Sequence, residues 1–186
     1  EVLMGAWSLN EGPEQQWDHG NGEPMPKVLK EMLRDSNVQK WAWNAAFETQ
    51  ILRNTLRMDV DIRQWRCTMV QAMHCSLPGS LDKAGPIVGL PEEMQKDKRG
   101  KALIRKFSIP NKPTKAHPTS RWLPQEAPTE YQEFLDYNRG DVRAEGGIRR
   151  RLMPFLMSQE EWDMWHLDQT INERGLPINQ RMVANA

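Results

Sequence analysis

The sequence lacks most of the features from which a function is usually read. Cysteine is scarce: Cys67 and Cys75 are the whole complement in 186 residues. Eight apart on what reads as one helix, they match no zinc-ligand spacing and cannot close a disulfide along a straight helix, which suits a reducing compartment. Net charge is absent as well, with 25 basic residues against 25 acidic ones. That balance excludes a histone-like or tail-like electrostatic binder, though not a local basic patch. No run approaches the roughly 18 apolar residues of a membrane span, and no signal-peptide core is visible. There is no glycine-rich phosphate loop. His19, His74, His117 and His166 show no metal spacing, and neither Ser80 nor the cysteines have a triad partner in view.

What is present argues for a folded chain. Hydrophobic residues make up only 38% with a mean hydropathy of −0.76, yet eight tryptophans, four phenylalanines and eleven methionines supply bulky core material. A compact chain of this length buries roughly 70% of its unfolded surface, so it needs no structural metal. The opening EVLMGAWSL and closing RMVANA both look cut from something longer, and the chain is expected to be a fragment. Apolar residues at 2–9 suit a buried strand, 15–18 a paired one and 38–43 a third. Val28, Leu29, Met32 and Leu33 give one face to a helix over 27–34, and a further helix is expected from 45 to about 56 behind an Asn44 cap. Helices follow at 68–75, 80–88 and 92–107, then a proline-rich loop at 108–128. A long helix over 129–153 carries Gly146-Gly147. A last helix over 158–174 is opened by Ser158 and closed by Gly175, with Trp162, Trp165, Leu167 and Ile171 as core. The strand–helix alternation indicates an α/β fold.

Three segments carry chemistry. In NAAFE, Asn44 ends a strand and Glu48 falls in the first turn of the next helix. A reciprocal capping box would place the acid at 47, where Phe47 stands, so Glu48 is not explained as half of a cap. In YNRGD, Tyr137 and Asp141 are four apart and share a helix face. Between 96 and 115, Lys96, Lys98, Arg99, Lys101, Arg105, Lys106, Lys112 and Lys115 face only Asp97, an asymmetry suited to nucleic-acid phosphates. Each segment also has a plain reading as a capped helix, a solvated face or a surface charge run.

Taken in order, these segments resemble the 3′–5′ exonuclease domain of family A DNA polymerases of the bacteriophage type, one of the DEDD exonucleases with a ribonuclease H-like fold. Asn44, Phe47 and Glu48 match the second motif of that family, and Tyr137 and Asp141 match the third. The stretch from CTMVQAMHCSLPGSLDKAGPIVGLP to QKDKRGKALIRKFS is similar to the region linking them, and LDQTINERGLPIN to the lead into the polymerase domain. The first motif, Asp-x-Glu, is absent, and the second-motif acid is Glu where the family usually has Asp.

The resemblance implies a mixed sheet flanked by helices whose first strand is missing from this chain. It implies an exonuclease domain at 1–157, with 158–186 leading toward a polymerase domain. It also implies proofreading hydrolysis at the 3′ end of single-stranded or frayed DNA in a host-cell cytoplasm. Two divalent ions, Mg²⁺ or Mn²⁺, about 3.5–4 Å apart clamp the attacking and leaving oxygens in such enzymes. By resemblance Asp141 and Glu48 are metal ligands, Tyr137 positions the water, and Asn44 and Phe47 contact the substrate strand. The charge asymmetry of the basic segment, rather than the resemblance, makes Lys98, Arg99, Lys101 and Lys106 the expected contacts to the strand's phosphates. Lacking the first motif, the fragment is expected to bind metal weakly and cleave poorly. The rivals are a degenerate exonuclease fold that guides DNA and a freestanding DEDD ribonuclease.

Overall fold

A computed structural model describes residues 2–94, 100–115 and 117–184. Lys96, Lys98 and Arg99 lie outside the described residues. The chain is mixed α/β, but its strands are shorter than the sequence suggests and form two separate two-stranded sheets rather than one mixed sheet. β1 (Gly5–Trp7) and β2 (Gln15–Trp17) form an antiparallel hairpin with Ala6 opposite Gln16. α1 (Lys27–Arg34) precedes β3 (Lys40–Ala42), α2 (Ala45–Asn54) and β4 (Trp65–Cys67). β3 and β4 run parallel, pairing Lys40 with Trp65 and Ala42 with Cys67. That geometry requires the crossover that α2 supplies.

β4 was not among the expected strands. It is short and buried throughout, so no alternation betrays it, and Arg66 at its centre looks wrong for a core. Arg66 is accommodated by polar partners: its guanidinium donates to Gln159 Oε1 at 3.2 Å, lies 3.0 Å from His166 Nε2 and sits 5.0 Å from the Trp162 ring. The two cysteines therefore do not share a helix interior. Cys67 ends β4 and Cys75 follows the last turn of α3 (Thr68–His74), and both are free thiols.

The remainder is helical: α4 (Leu81–Ile87), α5 (Gly100–Ser108), α6 (Pro128–Leu152), α7 (Gln159–Arg174) and α8 (Gln180–Ala184). The helix expected over 92–107 is described as a short 3-10 turn at Glu92–Met94 and then α5. Ser158 and Glu161 form a reciprocal capping box on α7. Trp162 and Trp165 are buried with Ala45, Leu52, Ile62 and Trp65, whereas Leu167 and Ile171 are exposed. The helical period explains the split, since residues five and nine after Trp162 point well away from its face.

α6, 25 residues long, packs on the other two cores. Its first half joins Leu103 and Phe107 of α5 through Tyr131, Phe134 and Tyr137. Its second half joins Ala72, Leu81 and Leu90 through Ala144, Ile148 and Leu152. Two glycines permit the close approaches. A methyl on Gly147 would stand 2.8 Å from Leu90 Cδ2, and one on Gly100 would stand 2.0 Å from Tyr137 Cε2. Gly146 has open space instead. Gly146→Ala is therefore expected to stabilise the fold by about 0.5–1 kcal/mol, through helix propensity alone. Gly147→Ala is expected to cost about 1–3 kcal/mol through overpacking. Urea unfolding of the two variants checks the pair, and equal effects would refute the packing.

Candidate active site

The site is built where β3, β4 and α6 meet. The β3 strand runs into Trp43, whose carbonyl accepts from Met69 N at 3.1 Å and from Cys67 Sγ at 3.3 Å. This stitches the start of α3 to the start of α2. Asn44 occupies the cap position of α2 and accepts from Phe47 N through its carbonyl at 2.8 Å, but its side chain makes no cap bond. The side chains of Asn44 and Phe47 are thus exposed beside the helix entrance, Phe47 by 60%.

Glu48 lies one turn into α2. It is largely withdrawn from solvent, and its Oε2 is buried with no hydrogen-bond partner among the described residues. Burial pushes its carboxyl up to about 7, opposed by a backbone hydrogen bond and aided by a lesser push from the nearby charge of Glu145. Glu145 stands on α6, where it accepts a hydrogen bond from the fully buried Thr68 hydroxyl. Burial raises Glu145 too, opposed by Thr68 and by the charges of Arg149 and Arg150. Cys67, beside them, has its thiol raised by burial and also by Glu48, which leaves it inert as a nucleophile.

Sequence reasoning missed Glu145 and Thr68. The signal for Glu145 was available: it extends the Tyr137–Asp141 spacing by one more helical turn, so Tyr137, Asp141 and Glu145 share one face of α6. Thr68 had no local signal. The structure thus brings Glu48 and Glu145 together, with Asp141 half-buried one turn away along α6. Tyr137 is buried in the aromatic core, stacked 6.2 Å from Phe134 and covered by Gly100. Lys101 is exposed on α5. Lys106 pairs with Glu130 and lies 4.3 Å from the Trp122 ring centre, which fastens α5 to α6 and to the loop before it. Lys98 and Arg99 lie outside the described residues.

The clustered donors are carboxylate oxygens, the kind that Mg²⁺ and Mn²⁺ take. In number they fall short: no group of three or more His, Cys, Asp or Glu among the described residues is arranged to hold a metal ion. No reaction step is therefore assigned to a bound ion. Without one, the arrangement is two buried acids that resist joint ionisation.

A pH dependence follows. The folded chain holds a proton on Glu48 that the unfolded chain releases above its ordinary 4.5, so stability falls as pH rises from about 4.5 toward about 7. At about 1.4 kcal/mol per unit of pKa, the loss is of order 3 kcal/mol, and Glu145 adds to it with the same sign. Glu48→Gln is expected to flatten that slope and to exceed the wild type in stability above neutral pH. Urea midpoints measured across this range without divalent ions check it.

Comparison with known proteins gives one informative relative. The chain is 38% identical over 187 aligned residues, its entire length, to a protein named DNA polymerase from Bacillus phage SP02. It spans 28% of that polymerase's length. No protein-family model matches it. No solved structure matches it either. Over its whole length, then, the chain is similar to part of a bacteriophage DNA polymerase.

Proposed function

We propose that the chain is the 3′–5′ exonuclease part of a bacteriophage DNA polymerase, removing mispaired nucleotides from a primer 3′ end. The whole-length likeness to a phage polymerase supports the parent enzyme. The observation that carries the exonuclease reading is the meeting of Glu48, at the entrance of α2, with the acidic face of α6 that includes Asp141 and Glu145. Carboxylates drawn from two helices onto one buried spot are costly for folding alone, and they suit phosphodiester hydrolysis with divalent ions. In this reading the fold is a ribonuclease H-like one, and 158–186 lead toward a polymerase domain. Asp141 and Glu48 in this reading bear on the metal, Mg²⁺ or Mn²⁺, and Tyr137 positions the water. On the same reading Asn44 and Phe47, whose ring is exposed, contact the last bases of the strand. Lys98, Arg99 and Lys101 supply phosphate contacts.

The test uses the full polypeptide that carries this chain, a 5′-labelled primer–template with a mismatched 3′ end, Mg²⁺ or Mn²⁺, and no nucleotides. Stepwise shortening is expected, and Asp141→Ala is expected to abolish it. An intact primer under both metals would instead mark a degenerate module that guides DNA. Reversing the charges of Lys98, Arg99 and Lys101 together is expected to weaken single-strand binding and flatten its dependence on salt, since fewer counterions are released. An unchanged slope in a salt titration would remove the basic segment from the interface.

A further inference from the structure

α5 and the loop after it divide their cations in two. Lys106 is engaged by Glu130 and by the Trp122 ring. Lys101, Arg105, Lys112 and Lys115 are exposed, and none has a hydrogen-bond or ion-pair partner among the described residues. The two acids that follow the loop are already occupied: Glu130 by Lys106, and Glu126 by the Leu123 amide at 2.7 Å and the His117 ring at 3.4 Å. Every arginine of α6, by contrast, is engaged by an acid or a carbonyl. We propose that the exposed face of α5 and the loop over 111–120 form one binding surface for the phosphates of a single-stranded nucleic acid. The inference rests on the exonuclease reading for its ligand, a frayed DNA strand, and needs no bound metal ion.

The loop is built to hold its charges in place. Its neck is closed by the Asn111 amide, which donates to the Ser120 carbonyl at 2.7 Å. Its tip is turned by Thr114 N, which donates to His117 O at 2.8 Å, and by His117 N, which donates to Thr114 Oγ1 at 3.0 Å. The His117 ring then stacks 3.9 Å from the Trp122 ring, the same ring that Lys106 meets. The neck is bound to α5 as well, since Asn111 Nδ2 donates to the Lys106 carbonyl at 3.3 Å. Lys112 follows the neck directly and Lys115 lies within the tip turn. Lys101 and Arg105 are one turn apart on the face of α5 that points away from the buried Leu103 and Phe107. Like charges held in place this way repel one another and gain nothing within the chain, whereas a phosphodiester strand supplies an anion at every nucleotide. The exposed side of α5 has no Asn or Gln to read a base edge, and His117 and Lys106 already lie against the Trp122 ring. The contacts are therefore to the backbone rather than to the bases.

The experiment is lysine footprinting of the full polypeptide with an acetylating reagent, read by mass spectrometry in the presence of EDTA. Oligothymidylate is supplied at about ten times its Kd, a level that protects an occupied lysine about tenfold. Lys101, Lys112 and Lys115 are expected to show that protection and to lose it as salt rises from about 50 to about 200 mM. Lys27 and Lys30, exposed on α1, should react alike with and without DNA. Trp122→Leu keeps all the charges but removes the ring on which the loop rests. In that variant, shown folded by circular dichroism, protection of Lys112 and Lys115 should fall to about threefold or less while Lys101 stays protected. Lys112 and Lys115 that react as fast with DNA as without it would overturn the surface, whatever a primer-shortening assay shows. So would equal protection of Lys27 and Lys30, because binding would then follow charge and not place, or full protection in Trp122→Leu. A polypeptide that protects these lysines in EDTA yet leaves a mismatched primer intact in Mg²⁺ and Mn²⁺ would retain the surface and defeat the hydrolytic part of the reading.

Discussion

α6 is the constraint on which the rest of the chain depends. It is the one helix long enough to serve two cores, and its buried face changes character along its length. Aromatic residues at the start take α5, small and aliphatic residues at the end take α3 and α4, and the acidic turns lie between. A polar segment flanked on both sides by packed cores cannot slide or roll far, because either movement opens voids or drives side chains together. The surface pairs Arg143–Glu14 and Arg149–Glu11, at 2.9 and 3.1 Å, bring the β1–β2 hairpin onto the same helix. Such exposed pairs contribute little stability and chiefly orient the hairpin.

The acids on that helix weaken the fold rather than strengthen it. Glu48 and Glu145 lose hydration on burial and repel one another. Thr68 offers a single hydroxyl where an ionised carboxylate accepts several bonds. Arg149 and Arg150 moderate the cost for Glu145 from one helical turn away, though Glu11, which pairs with both, diverts part of their charge. The sum is a spot that is under-neutralised by the protein's own groups.

How much was legible locally follows from what each element depends on. α1 was readable because its apolar face repeats at helical spacing behind two prolines, and α7 because Ser158, Glu161 and Gly175 mark its ends within its own sequence. Asn44 was placed correctly as the head of α2, although its side chain is not used as a cap. Glu48 stood out because the capping box leaves it unexplained. What escaped was decided across the chain. β4 is a strand because β3 lies beside it and because Gln159 and His166, far away on α7, receive Arg66. Thr68 matters through a partner 77 residues on. The covering of Tyr137 by Gly100 is a contact between two helices that neither segment announces.

The same distinction governs the basic segment. Read as a string, its cations are equivalent. In the fold, α5 turns Leu103 and Phe107 toward α6 and leaves Lys101 and Arg105 in solvent, while Lys106 is drawn inward by Glu130 and the Trp122 ring. The segment is thus divided between a cation that holds the helix down, Lys106, and cations that face solvent, Lys101 and Arg105. Because Gly100 rests on Tyr137, the start of α5 lies against the turn of α6 that leads into Asp141. Positive charge is thereby carried on a packed helix next to the acidic face rather than on a loose tail. In a chain with no net charge, that placement concentrates positive charge locally on one packed helix.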